Sequence, residues 1–106
     1  MPKYLIQAHY ETEGVRGIAE KGGSARRDAV QKVFEASGGT LEGFYFAFGD
    51  ADAYVFGELP DNETAAAIAL TVNSDPRVAA RTTVLLTPEE VDAAAQRSVE
   101  YTPPGG

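Results

Sequence analysis

The chain has no cysteine, a single histidine and only nine basic residues against sixteen acidic ones in 106. Without cysteine there are no structural disulfides, thiol nucleophiles, zinc-thiolate sites or iron–sulfur clusters. This suits a reducing cytoplasm, which is the expected location. The acidic residues are scattered without histidine partners, so no transition-metal site is indicated and no cofactor is expected. The net charge of −7 repels phosphate backbones, and nucleic acid is not an expected partner. The one basic cluster, Lys21, Arg26 and Arg27, lacks interleaved aromatics and reads mainly as a solvated helix start, with room for a small anion. Gly22-Gly23-Ser24 ahead of it lacks the spacing of a P-loop or a dinucleotide fingerprint and reads as a structural turn. No apolar segment is long enough to span a bilayer. The run behind Met1-Pro2-Lys3 is broken by Gln7 and His9, unlike a signal peptide. A membrane is therefore not an expected partner either.

What the chain does have is a dense aromatic segment. Phe44, Tyr45, Phe46, Phe48, Tyr54, Val55 and Phe56 surround one polar break, Gly49-Asp50-Ala51-Asp52, which predicts two strands joined by a tight turn. Successive side chains of a strand alternate faces. Phe44, Phe46 and Phe48 therefore oppose Gly43, Tyr45 and Ala47, while Ala53, Val55, Gly57 and Leu59 oppose Asp52, Tyr54, Phe56 and Glu58. Both faces are apolar, so both require a cover.

Around this hairpin the patterning predicts further elements. Lys3 to Tyr10 alternates as a strand, with Tyr4, Ile6, Ala8 and Tyr10 on one face and Lys3, Leu5, Gln7 and His9 on the other. Glu11 to Ala19 is weakened by Gly14 and Gly17 and predicts at most a short helix or turn, with Thr12 as a cap. Ala25 to Ala36 carries an apolar stripe of Ala29, Val30, Val33 and Phe34, with Ser24 as the expected cap and Gly38-Gly39 as the stop. Asp61 caps a second helix running through the small residues Ala65 to Ala69 and closing near Asn73. Val78 to Leu86 is a β-branched strand. Thr87-Pro88-Glu89-Glu90 is a capping box with proline at the first helical position, predicting a third helix from Pro88 to about Arg97.

The expectation is one α+β domain over residues 1–106, with 98–106 an extended tail. Its order matches the ferredoxin-like βαββαβ arrangement, with an antiparallel four-stranded sheet, both main helices on one face and an extra C-terminal helix. The two halves, Lys3 to Phe48 and Ala51 to Leu86, repeat one unit. The opposite, aromatic face is left bare and predicts a partner, most simply a second copy facing the first across a small cavity.

Pro2-Lys3-Tyr4-Leu5-Ile6-Gln7-Ala8-His9-Tyr10, Gly14, Gly23-Ser24-Ala25-Arg26-Arg27, Gly38-Gly39 and the turn Phe46-Ala47-Phe48-Gly49-Asp50 together resemble the GYD domain family, nearly end to end. That family is similar to the dimeric α/β-barrel group. The resemblance implies a sheet-to-sheet dimer, in a group that includes small monooxygenases, haem-degrading enzymes, lactone isomerases and ligand-sensing modules. The chain departs from the namesake pattern, because Ala51 stands where a tyrosine precedes the aspartate. No role resting on that tyrosine carries over.

The candidate ligand-binding residues are Gln7, His9, Tyr45, Tyr54, Phe56, Arg81 and Thr83, a set of rings and polar groups suited to a small apolar or aromatic molecule. His9 and Asp52 are the candidates for proton transfer, His9 as a general base or axial ligand and Asp52 as a carboxylate beside aromatic surface. The competing readings are structural: His9 as a hydrogen-bonded interface residue, Asp52 as the closure of the hairpin, and the rings as dimer contacts. Arg81 alternatively pairs with Glu58 or Asp52. Three functions stay open: a homo-oligomeric small-molecule-binding domain, a cofactor-independent monooxygenase or isomerase on a phenolic or lactone substrate, and a purely structural self-assembling protein.

Overall fold

In the computed structural model, which describes residues 1–106, four strands form one open antiparallel sheet in the order β2-β3-β1-β4. They are β1 (Lys3–Tyr10), β2 (Thr40–Phe46), β3 (Ala53–Glu58) and β4 (Val78–Leu85). The first strand lies inside the sheet, pairing Ile6 with Val55 of β3 on one side and with Thr82 of β4 on the other. The aromatic strands β2 and β3 pair as expected, Phe44 with Val55 and Tyr45 with Tyr54, with a register shift between Leu41 and Gly43.

The hairpin connection differs from the expected four-residue turn. It spans residues 47–52 and is closed by the Ala47 amide donating to the Asp52 carbonyl at 2.8 Å. Phe48 therefore leaves the strand and its ring is fully exposed, instead of sharing a face with Phe44 and Phe46. Phe48 does not extend the ladder past Phe46, because the chain has already turned to carry Asp52 onto β1.

Four helices accompany the sheet: α1 (Thr12–Lys21), α2 (Gly23–Ala36), α3 (Asn62–Asn73) and α4 (Pro88–Ala95). The first is a ten-residue helix where at most a short helix or turn was expected, and its cap is Glu11 rather than Thr12. Gly14 costs helix propensity but is needed here: a Cβ would lie 2.5 Å from the Arg77 carbonyl oxygen, so the glycine lets α1 approach the loop before β4. Packing thus overrides propensity. Helix α2 begins two residues earlier than expected, capped by Gly22 and not by Ser24. Its end follows the sequence. Gly38 takes φ +83°, its amide donates to Glu35 and that of Gly39 to Phe34, the double bond pattern of a glycine-terminated helix. Asp61 caps α3 by accepting from the Thr64 amide at 2.8 Å, and Thr87 and Glu90 form the expected reciprocal box at the start of α4. That helix stops at Ala95, two residues short of expectation, with Gln96 as its cap.

Helices α2 and α3 lie on the sheet face that carries Tyr4, Ile6, Phe44 and Val55. There Tyr4, Phe34, Val55, Leu59 and Ala65 form the buried core. Burying a side chain the size of Phe34 or Leu59 stabilises by about 1.5–3 kcal/mol each. The core is small. Only nine of 106 residues are buried, and the chain exposes 7407 Å². A folded chain of 11.2 kDa exposes roughly 5,700 Å² by the usual scaling. The Cα radius of gyration, 16.9 Å, exceeds the roughly 13 Å typical of this length. Part of the excess is α4, which buries no residue and projects with the exposed Val91, Val99 and Tyr101. No helix is long and apolar enough to cross a membrane.

Candidate functional site

The face of the sheet away from α2 and α3 carries the expected residues in rows set by strand register. Gly43, Phe56, Leu5 and Thr83 form one row across the four strands, and Tyr45, Tyr54, Gln7 and Arg81 form the next. His9 lies one step further along β1, opposite Ala79 of β4, and Lys3 lies at the other end between Glu58 and Leu85. All seven candidate ligand-binding residues therefore occupy one surface. Directly opposed rings on neighbouring strands stand about 5 Å apart at their Cβ atoms, close enough to act as one aromatic platform.

This surface is uncovered. Tyr45 is 66% exposed, and Phe56 also reaches solvent. An open depression of about 360 Å³ lies at the Lys3 end, bounded by Glu42, Gly43, Tyr45, Phe56 and Leu85. Tyr45 and Phe56 line it, whereas Gln7, His9, Tyr54, Arg81 and Thr83 sit beside it. Its rim is charged: the Lys3 ammonium lies 2.9 Å from the Glu42 carboxylate and 3.7 Å from that of Glu58. Hydrogen bonding to Glu42 holds the Lys3 ammonium above its ordinary pKa. Glu58 is thus committed to Lys3 and the N-terminal amine, and Arg81 has no carboxylate within ion-pair distance.

The two proton-transfer candidates are placed differently. Asp52 precedes β3 in the hairpin connection. Its carboxylate accepts the Tyr10 amide at 2.9 Å, and its own amide donates to the Ala8 carbonyl at 2.8 Å. It fastens the hairpin to the end of β1. His9 is half-exposed on the open face and forms no side-chain hydrogen bond within the chain, so no second group fixes its tautomer or orientation. Ala51, at the position of the namesake tyrosine, is 1% exposed and presents no reactive group.

The helix side holds two cavities that sequence reasoning missed. One is an apolar crevice between α2 and α3, and the other a polar pocket beside α1. Arg26, expected as part of a solvated helix start, is half-buried between them. Its Nε–H donates to the Tyr10 hydroxyl at 3.3 Å, and its guanidinium lies 5.5 Å from the centre of that ring. The available signals were the small residues of α3 and the position of Arg26 one turn before Val30.

An open antiparallel sheet with helices packed on Tyr4 and Val55 and aromatics bare on the other side defines a small α+β domain built around one exposed platform. The GYD domain model matches residues 4–95, and the chain belongs to the GYD domain family. No curated protein and no solved structure matches it.

Proposed function

We propose that this chain is a homo-oligomeric binding domain. Two copies of a ferredoxin-like βαββαβ unit close their bare sheet faces on each other as a dimeric α/β barrel. A small apolar or aromatic molecule is held between Tyr45, Tyr54 and Phe56 of each copy, with Gln7, Arg81, Thr83 and His9 supplying polar contacts. The observation that carries this reading is the cluster of Leu5, Tyr45, Tyr54 and Phe56 in adjacent rows on a face that nothing in the chain covers. Patches of this kind mark interaction sites, and aromatics with arginine are the residues that interfaces favour.

Binding is better supported than proton transfer. Catalysis needs a titratable group held by a second polar group at the reacting atom, and His9 lacks the holder while Asp52 is engaged with Tyr10. A cytoplasmic setting fits the lack of cysteine.

Light scattering at micromolar concentration tests the assembly. A dimer or larger species is expected, and a persistent monomer refutes the reading. Phe56→Asp should dissociate the oligomer while leaving the monomer folded, because a charge buried without a partner is costly. Native mass spectrometry of the purified oligomer then distinguishes binder from scaffold: a retained small molecule is expected, and an empty, filled interface points to self-assembly alone.

A further inference from the structure

The crevice between α2 and α3 measures about 160 Å³, and fourteen of its sixteen lining residues are hydrophobic. Ile6 and Val55 form its floor, Val30 and Val33 one wall, and Ile68 and Val72 the other. Ala69 of α3, a small residue, lines it as well. The crevice is open to solvent, and its apolar lining suits a short alkyl or aryl group.

At the Tyr10 end the crevice adjoins the polar pocket, about 310 Å³, and the two share Tyr10, Arg26, Ala29 and Val78 as a common wall. The charges facing that pocket are Glu13, Lys21, Arg26, Asp75 and Arg77. Arg77 is engaged by Asp75, with Nη2 to Oδ2 at 2.7 Å, and Glu13 is paired with Arg16 at 3.1 Å. Lys21 and Arg26 have no carboxylate within ion-pair distance, although the Asp75 carboxylate is near enough to feel the Arg26 charge. Lys21, Lys32, Arg81 and Arg97, the other cations without an ion pair, are all exposed, whereas Arg26 is half-buried. Tyr10 orients it through both its hydroxyl and its ring face. A partly desolvated guanidinium with free N–H groups at the mouth of an apolar slot is suited to a carboxylate, because charge-assisted bonds are stronger there than in water.

We infer that the crevice and the Arg26 wall form one binding site for a small amphiphilic acid. A short alkyl or aryl body lies between α2 and α3, and its carboxylate is held by Arg26, with Lys21 adding long-range attraction. The site is on the opposite side of the sheet from the proposed dimer cavity and is complete within one protomer, so it does not depend on that reading.

Titration of the full chain with hexanoate, hexanol and hexylamine, followed by amide chemical shifts, tests the inference. Hexanoate should perturb α2 around Val30 and Val33, α3 around Ile68 to Val72, and Ala80 on β4. Hexanol should bind at the same place at least tenfold more weakly, and hexylamine more weakly still. Arg26→Gln should reduce hexanoate affinity at least tenfold and leave hexanol unchanged. Ala69→Leu should exclude both by filling the crevice. Equal affinity for the three probes, shifts confined to Tyr45, Tyr54 and Phe56, or an Arg26→Gln variant that binds hexanoate normally would overturn the site. If Ala69→Leu does not fold, the hexanoate-to-hexanol ratio in Arg26→Gln decides alone. A monomer in light scattering that still binds hexanoate in the crevice would sink the dimer proposal and keep this one.

Discussion

The Tyr4 hydroxyl donates a 2.7 Å hydrogen bond to Oδ1 of Asn62 while its ring is 1% exposed. One side chain thus belongs to the core of the sheet and fastens β1 to the first residue of α3. Burial pushes the phenol above its ordinary pKa, and the nearby carboxylates of Asp61 and Glu63 add to the effect.

Tyr4→Phe should cost about 1 kcal/mol, the usual net value of one hydrogen bond, since the exposed Asn62 can turn to water. Its pH dependence has a definite sign. The folded state prefers the protonated phenol, so the associated stability is present below the ordinary value of 10.0 and is lost as pH rises beyond it. Urea unfolding between pH 7 and 11 should show the wild type losing more stability than Tyr4→Phe over the alkaline range.

Gly57 should tolerate no side chain. A Cβ there would overlap the Phe34 ring and approach the Thr40 carbonyl oxygen to 2.7 Å. Gly57→Ala should lower stability by about 1–3 kcal/mol, as overpacking does in a filled core. Gly49→Ala is the control, because nothing lies within 4 Å of its added Cβ and its φ is not positive. Thermal unfolding of the two variants checks the contrast, and equal midpoints would contradict the described packing.

Asp75 is held by hydrogen bonds to the Arg77 side chain and backbone at a pKa of about 2. Its contribution is therefore present above the ordinary value of 3.8 and lost as pH falls through about 2. Asp75→Asn should lower the thermal midpoint at pH 6 and converge on the wild type near pH 2. The loop it shapes carries the Arg77 carbonyl that accepts the Glu11 amide at 2.9 Å, so the variant should also loosen the start of α1, seen as faster amide exchange there.

A chain ending at Thr87 should keep a cooperative unfolding transition at an unchanged midpoint. Helix α4 buries none of its residues and is held by its own capping box. Thr87→Ala should accordingly weaken α4 by about 1 kcal/mol, a typical capping loss, without altering the melting of the sheet. Circular dichroism and calorimetry separate the two effects, and a collapse of the truncated chain would show that α4 supports the core.

Much of the architecture was legible because its signals are local. The alternation of Tyr4, Ile6 and Ala8 with Leu5, Gln7 and His9 assigns both faces of β1, and Thr87 with Glu90 marks α4 within four residues. The start of α2 and the length of α1 were under-read because Gly14, Gly17 and Gly23 are poor helix residues judged alone. At Gly14 the contact with Arg77, far away in sequence, demands the small residue. Phe48 was misread for the same kind of reason: its ring suits a strand, yet the turn begins before it so that Asp52 can reach the Tyr10 amide.

The candidate site divides in the same way. Strand period sorted Gln7 with His9, Tyr54 with Phe56, and Arg81 with Thr83 onto one face of each strand, because alternation follows from backbone geometry without knowledge of neighbours. Which strands lie side by side, and hence that Tyr45, Tyr54, Gln7 and Arg81 form one row, came only from the tertiary register. The commitment of Asp52 to Tyr10, the placement of Arg26 between two cavities, and the crevice between α2 and α3 also needed the folded chain. Each depends on groups distant in sequence meeting in space, and the spacing of residues along the chain carries no record of that meeting.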